Sequence, residues 1–299
     1  MKRPQWSVIM PTFNREDVLP RTLRAYLDQE GDFGDLEIIV VDDGSTDATP
    51  QLLEKLCNAS PERLKVIRQE NKGPAAARNQ GIRHARGTLI LFAGDDVIPC
   101  PNLLELHSTT HRTFPSPTTA VLGKITWSPE QNISPLMHWL EAGGWQFNYG
   151  GIRDPLHVPH DMFYSSNISL HKELLAEEKF DEAFSAACWE DIDLGLRLQK
   201  HGLRIIYNEH AIGYHMHPTD FHRFAQRSRR AGYYEAMFHG KHNRAFELSR
   251  PAVVFMRWIL GTLLRVITAG TLKEKGFLWS LQWHQYQGIY EYQRQSRLQ

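Results

Sequence analysis

Four short runs of aliphatic and β-branched residues, at 7–10, 37–41, 64–68 and 88–92, recur at intervals of about 25 to 30 residues, the length of a strand–helix–strand unit. Helical patterns lie between them. In the first, Asn14 predicts an N-cap, and Val18, Leu19, Leu23, Tyr26 and Leu27 fall along one face. A second follows Asp47 and Thr49, with Pro50 near its first position and Leu52, Leu53 and Leu56 behind it. The third runs from about residue 74 to 85 and is closed by Gly87. Such alternation predicts an α/β fold built on a mostly parallel, doubly wound sheet. Residues 111–217 are less regular, rich in Pro, Gly and aromatics, with strand-like pieces at 120–126 and 204–207. They offer a second half of a site. Beyond Pro218 the pattern turns helical and basic, then apolar from 253 to 269. The chain therefore divides into 1–110, 111–217 and a helical extension, 218–299.

With 299 residues, 41% of them hydrophobic, the chain is long enough to bury a substantial core. Thirty-four basic and thirty-four acidic residues cancel, so no overall field argues for nucleic acid. Cys57, Cys100 and Cys188 are odd in number and widely spaced, a pattern that fits a reducing cytosol rather than a disulfide framework or a zinc site. The apolar run that begins at Ser7 is cut by Pro11, too short for a signal peptide. A cytoplasmic protein is expected.

Each of the four runs ends in polar residues: Pro11-Thr12-Phe13-Asn14-Arg15, Asp42-Asp43-Gly44-Ser45, Gln69-Glu70-Asn71-Lys72-Gly73 and Asp95-Asp96. Parallel strands put such ends on one sheet edge, where open α/β sheets bind ligands, so Thr12, Asp43, Asn71 and Asp95 are expected to converge. Adjacent carboxylates repel unless a proton or a hard cation intervenes, which makes Asp95-Asp96 a site for a metal-bound phosphate; an ordinary turn or helix cap is the plain alternative. Asp42 and Asp43 either accept from a base or ribose or cap the turn that Gly44 and Ser45 shape. A second acidic group, Glu190, Asp191 and Asp193, opens a helical pattern. The helix dipole accounts for Asp193 better than for the other two. His215 and His217, two residues apart in a strand-like segment, share one face, as core or surface residues or as metal ligands.

The segments VIMPTFNR, EIIVVDDGSTDAT, NKGPAAARNQG and ILFAGDDVIP resemble, in order and spacing, those of family 2 glycosyltransferases, nucleotide-sugar-dependent enzymes of the GT-A fold. The resemblance continues to about residue 217. It implies that Pro11, Thr12, Arg15, Asp42 and Asp43 hold the nucleoside of a donor, with Lys72, Gly73 and Asn79 over ribose and diphosphate. It also implies that Asp95 and Asp96, helped by His215, bind a divalent cation, Mg2+ or Mn2+, although Ala93 stands where the family often has an Asp. EDIDLGLRLQKHGLRI resembles the segment that carries the catalytic base. Asp191 aligns with that base, and Glu190 would orient the acceptor. In SSNISL, Asn167 stands near the donor sugar by resemblance or caps a helix at Lys172, and Ser166 replaces the family's Gly. The implied reaction is inverting transfer from a nucleoside-diphosphate sugar, UDP-linked by resemblance, to a hydroxyl of a carbohydrate, lipid-linked or other acceptor.

Two rivals remain. A sugar nucleotidyltransferase would carry a Gly-rich phosphate loop after the first strand, where this chain has residues 11–15; a non-catalytic nucleotide-sugar sensor would not need Asp95, Asp96 and Asp191 together. In the tail, Arg250, Arg257 and Arg265 fall within about 80° on a helical wheel and Lys275 extends the stripe. Two arginines interrupt the roughly 20 apolar residues that a membrane span requires. Residues 250–285 therefore read as a core helix with one wet face or as a peripheral helix lying on anionic lipid, with Trp279 and Trp283 favouring the second.

Overall fold

All four aliphatic runs are strands in the computed structural model, which describes residues 4–143, 146–244, 251–267 and 270–296. They are β1 (Trp6–Thr12), β2 (Leu36–Asp42), β3 (Leu64–Arg68) and β4 (Leu89–Ala93), linked by α1 (Leu19–Leu27), α2 (Thr49–Ala59) and α3 (Pro74–His84). Next come β5 (Val97–Pro99), α4 (Leu103–Thr113), β6 (Thr119–Trp127), α5 (Pro135–Ala142), β7 (Asn167–His171), α6 (Glu190–Gln199) and β8 (Arg204–His215). Three helices close the chain: α7 (Phe221–Lys241), α8 (Pro251–Ile267) and α9 (Gly270–Ser296). Residues divide into two units, Met1–Asn132 with Gly144–His217, and Ile133–Gly143 with Pro218–Gln299.

The first unit holds one eight-stranded sheet in the order β3-β2-β1-β4-β7-β6-β8-β5. Its first four strands are parallel, as is the β6–β8 pair, while β7 and β5 run antiparallel to their neighbours. Successive side chains point to opposite faces and both faces are covered. Ile9, Ile39, Ile90 and Phe92 pack with Ala75 and Ala77 of α3 and Leu194 and Leu198 of α6. On the other face, Val8, Met10, Ile38, Val40 and Leu91 meet Leu19 and Leu23 of α1, Leu53 of α2 and Leu103 of α4. Covered in this way, β4 reads as an unbroken apolar run. Gly81 lets α3 approach β1, because a Cβ there would lie 2.3 Å from Ile9 Cγ2.

One expected cap is corrected. Helix α1 begins after Val18, and Asn14 instead takes a left-handed conformation at φ 53°, its Oδ1 accepting from Thr46 N at 2.8 Å. That bond ties the loop after β1 to the loop after β2. The cysteines are free.

A buried polar chain lies between α4 and β7. Asn167 Nδ2 donates to the carbonyls of Lys124 and Ala211, so its Oδ1 accepts from His107 Nε2 at 3.1 Å. His107 Nδ1 then accepts from Ser169 Oγ, which in turn accepts from His111 Nε2, both at 2.8 Å. Both rings are held neutral: burial pushes His107 down to about 4 and His111 to about 3. Because these folded values lie below the unfolded one, protons bind the unfolded chain first as pH falls below about 6.5, and stability is lost. Burial of Glu190 and Asp95 acts in the opposite sense, raising their pKa values, so the histidine contribution is read by difference. We expect His111→Phe to lose about 3 kcal/mol less than the parent between pH 6.5 and 4, at one unit per about 1.4 kcal/mol. Urea unfolding across that range measures it, and parallel pH profiles would contradict it.

In the second unit, α7 and α9 approach closely through glycines: a Cβ on Gly288 would meet Arg229 O at 1.8 Å, and one on Gly232 would meet Gln285 O at 2.0 Å. Asp220 caps α7 through Arg223 N, and Ser134 caps α5 through Met137 N. Among the described residues no helix is long and apolar enough to cross a membrane.

Candidate active site

Strand direction assembles one edge. The C-terminal ends of β1, β2, β3, β4, β6 and β8 lie together with the N-terminal end of β7, since Ala93 pairs with Asn167 and Trp127 with His215. Asp95 and Asp96 fill the tight turn between β4 and β5, and Val97 pairs with His215. Arg15 reaches across from the loop after β1, with Nε 3.4 Å from Asp95 Oδ1 and Nη2 3.1 Å from Asp96 Oδ2. His215 Nε2 stands 3.4 Å from Asp96 Oδ1, and His217 Nδ1 stands 3.4 Å from Arg15 Nη1. His215 is stacked on Trp127 and on His217, with ring centroids 5.2 and 5.9 Å apart.

The two adjacent acids are thereby made unlike. Burial and the charge of Asp96 raise Asp95 to about 6. Burial also pushes Asp96 upward, but His215, Arg15 and His217 outweigh it and hold that carboxyl below the usual range. Charge-sharing of this kind keeps one firm anion beside the strand ends.

At the β2 end the two aspartates have different work. Asp42 Oδ1 accepts from Ser45 N at 2.9 Å, while its Oδ2 lies 3.5 Å from Arg68 Nε. Both residues line a cavity of about 500 Å³ between α2 and the sheet. Asp43 spends its carboxylate on the fold, accepting from Gln69 Nε2, Lys72 N and Gly73 N at 2.7, 2.9 and 2.8 Å. It shapes the loop that carries Lys72, whose side chain is exposed.

Three of the expected binding residues are buried and already paired. Asn79 donates to Phe180 O and Glu182 Oε1 and accepts from Phe180 N, fastening the segment before α6 instead of facing a ribose. Asn167 is wholly buried in β7 and belongs to the histidine chain, neither at a sugar nor at a helix cap. Asp43, expected to hold a nucleoside, is the loop's anchor. Pro11 and Thr12 lie at the end of β1, with Thr12 buried.

At the start of α6, Glu190 is 2% exposed, and its Oε1 accepts from Arg78 Nη1 at 2.9 Å. Arg78 also lies over the Phe180 ring, 5.3 Å from its centroid. This buried pair joins α3 to α6. Burial and the charge of Asp191 raise Glu190 to about 7. Asp191 is only partly buried, and its Oδ2 is 3.3 Å from Ser165 N and 3.4 Å from Ser165 Oγ. Burial raises its pKa, against Arg78 and the surrounding donors. A raised, solvent-reachable carboxylate suits proton abstraction. Trp189, immediately before it, takes φ 71°, an unusual conformation for a bulky residue that aims the first turn of α6.

The donors suit a hard divalent cation in kind: two carboxylates and an imidazole whose buried Nδ1 has no hydrogen-bond partner. They do not make a closed cage. Among the described residues no three His, Cys, Asp or Glu side chains are grouped to hold a metal ion, and Arg15 neutralises the acids meanwhile. Sequence reasoning missed Arg68 and Trp127 as parts of this edge. Each lies at a strand end, and that position was their only signal.

Residues 7–116 match the sequence profile of glycosyl transferase family 2. Validoxylamine A glucosyltransferase of Streptomyces hygroscopicus subsp. jinggangensis is 31% identical over 237 residues, covering 70% of this chain and 55% of that protein. The chain thus spans about half the length of the curated relatives it matches. Among solved structures, the mannosyltransferase PcManGT from Pyrobaculum calidifontis, in complex with GDP-Man and Mn2+, superposes with a TM-score of 0.65 at 17% identity, over 98% of this chain and 88% of that one. Residues 1–349 of S. aureus TarS, in complex with UDP, give 0.55 at 19% identity, over 96% and 89%. At such identities the superpositions establish the GT-A-like fold.

Proposed function

Since this chain belongs to glycosyl transferase family 2, we propose that it transfers a sugar from a nucleoside-diphosphate donor to an acceptor hydroxyl, with inversion. The acceptor oxygen attacks the anomeric carbon, the bond from that carbon to the diphosphate oxygen breaks, and its electron pair leaves with the nucleoside diphosphate. Asp191 takes the hydroxyl proton. The observation that carries this reading is the Asp191 carboxylate itself, partly exposed, raised by burial and oriented by Ser165, in the unit that also carries the acid pair. Asp42 and Arg68 would receive the nucleoside at their shared cavity, and Arg15 and Lys72 would meet the diphosphate. UDP is the proposed nucleotide. Residues 1–110 then serve the donor and 111–217 the acceptor, a carbohydrate, a lipid-linked sugar or another hydroxyl compound.

Asp95 and Asp96, with His215, would hold Mg2+ or Mn2+, which when bound offsets the charge gathering on the diphosphate. Arg15 competes for the same carboxylates. Its replacement by Gln is expected to tighten Mn2+ binding without nucleotide by roughly fivefold, partly exposed charges this close being worth about 1 kcal/mol, while UDP binding weakens. Paramagnetic resonance of free Mn2+ reads the first and calorimetry the second; unaltered Mn2+ affinity would show that Arg15 does not share the acids.

Release of nucleoside diphosphate from a panel of UDP- and GDP-sugars, with and without simple sugar acceptors, tests the function. Acceptor-dependent release is expected. Donor binding with no turnover across a broad acceptor set, lipid-linked sugars included, would favour the nucleotide-sugar sensor instead.

A further inference from the structure

Helix α8 turns its apolar side outward. Met256, Ile259, Leu260, Leu263, Val266 and Ile267 are 46% to 74% exposed, and at 100° per residue they fall within about 120° of one another. Its opposite side faces α9: Val254 and Gly261 are buried, and a Cβ on Gly261 would meet Gly276 O at 3.0 Å. The arginine stripe read from the sequence is split by this rotation. Arg257 is exposed at the margin of the apolar face, whereas Arg265 turns inward, its guanidinium carbon 3.4 Å from the Phe221 ring centroid. Arg250 lies outside the described residues. The helix contains two arginines and no acidic residue, and early in α9 the exposed Lys275 stands beside the exposed Glu274.

We propose that this face of α8 docks on a bilayer surface bearing anionic phospholipid, with the apolar residues in the headgroup–acyl boundary and Arg257 among the phosphates. Two observations select that occupant over a second copy of the chain. A two-fold contact between two such faces would offer Arg257 no acidic partner, since the helix has none. An exposed apolar strip edged by positive charge and free of acids is instead the composition of an interfacial helix. Among the described residues no helix, α8 included, is long and apolar enough to span a bilayer.

Co-sedimentation of the full chain with phosphatidylcholine vesicles, with and without phosphatidylglycerol, tests this without any donor or acceptor, so its outcome is separate from that of sugar transfer. Binding is expected with phosphatidylglycerol present. Leu263→Glu with Val266→Glu should reduce it at least about tenfold, with helix content by circular dichroism unchanged, since both side chains face outward. Arg257→Glu should weaken binding to the anionic vesicles and leave the small fraction bound to neutral ones as it was. The proposal is overturned if the parent stays in the supernatant or if the double variant binds equally. It is also overturned if light scattering shows a dimer that the double variant dissolves, because a second copy then covers the face.

Discussion

Replacing Asp191 by Asn is expected to lower sugar transfer by about 10²- to 10⁴-fold, the usual worth of a positioned general base, while nucleotide affinity stays within a factor of about two. The change is nearly isosteric. An amide oxygen can still accept from Ser165 or from Ile192 N, which now lies 2.9 Å from Asp191 Oδ1, so the fold loses at most one weak contact. What disappears is the capacity to take a proton. The pH profile offers a second readout: because burial raises the pKa of Asp191, the acid limb of kcat/KM should stand above the ordinary carboxylate range and vanish in the variant. Full activity in Asp191→Asn, or an unshifted acid limb, would send the proton elsewhere. Glu190→Gln is a useful contrast. It leaves Arg78 without its buried charge partner and should act mainly on stability.

Parallel strands were the readable part of this fold, and the reason is burial. Residues of β1, β2 and β4 are covered on both faces, so sequence runs such as Leu-Ile-Leu-Phe-Ala carry no polar interruption. Strand β8 was readable only in two pieces, up to Tyr207 and again near His215, because Asn208, Glu209 and His210 break its apolar pattern at the β6 register shift. β5 is three residues long and had no signal of its own. The helix starts were only approximately legible: Asn14 has the chemistry of a cap but is used between two loops. The candidate site follows the same logic. Residue type and strand-end position singled out Asp42, Asp95 and Asp96, and an acidic helix start with a family resemblance singled out Asp191, yet neither can say where a polar group finds its partner. Asp43, Asn79 and Asn167 have the same donors and acceptors as ligand-binding residues, and the fold consumes all three. Only tertiary contact separates a group that faces a crevice from one that fastens a loop.

Gly73→Ala is expected to cost roughly 4 kcal/mol and to abolish transfer along with it. Gly73 caps α3 at φ 88° and ψ 167°, a region essentially reserved for glycine, where another residue stores about 1 to 3 kcal/mol. A methyl group there also has no room: its Cβ would lie 2.2 Å from Ser185 O and 2.7 Å from Ser185 C, and backbone cannot turn aside as a side chain can. The two penalties combine at one position, giving a fall in melting temperature of roughly 10 °C for a unit of this size. Function suffers through the same contact. Gly73 N donates to Asp43 Oδ2, which fixes the Lys72 loop, while Ser185 lies in the segment that leads through Trp189 into Asp191. Forcing them apart separates the loop proposed for the diphosphate from the proposed base. Lys72→Ala, one residue away but exposed, should leave the melting temperature within about 1 °C. Calorimetry on the two variants decides the point: similar melting temperatures would mean that Gly73 is not the close contact between these segments.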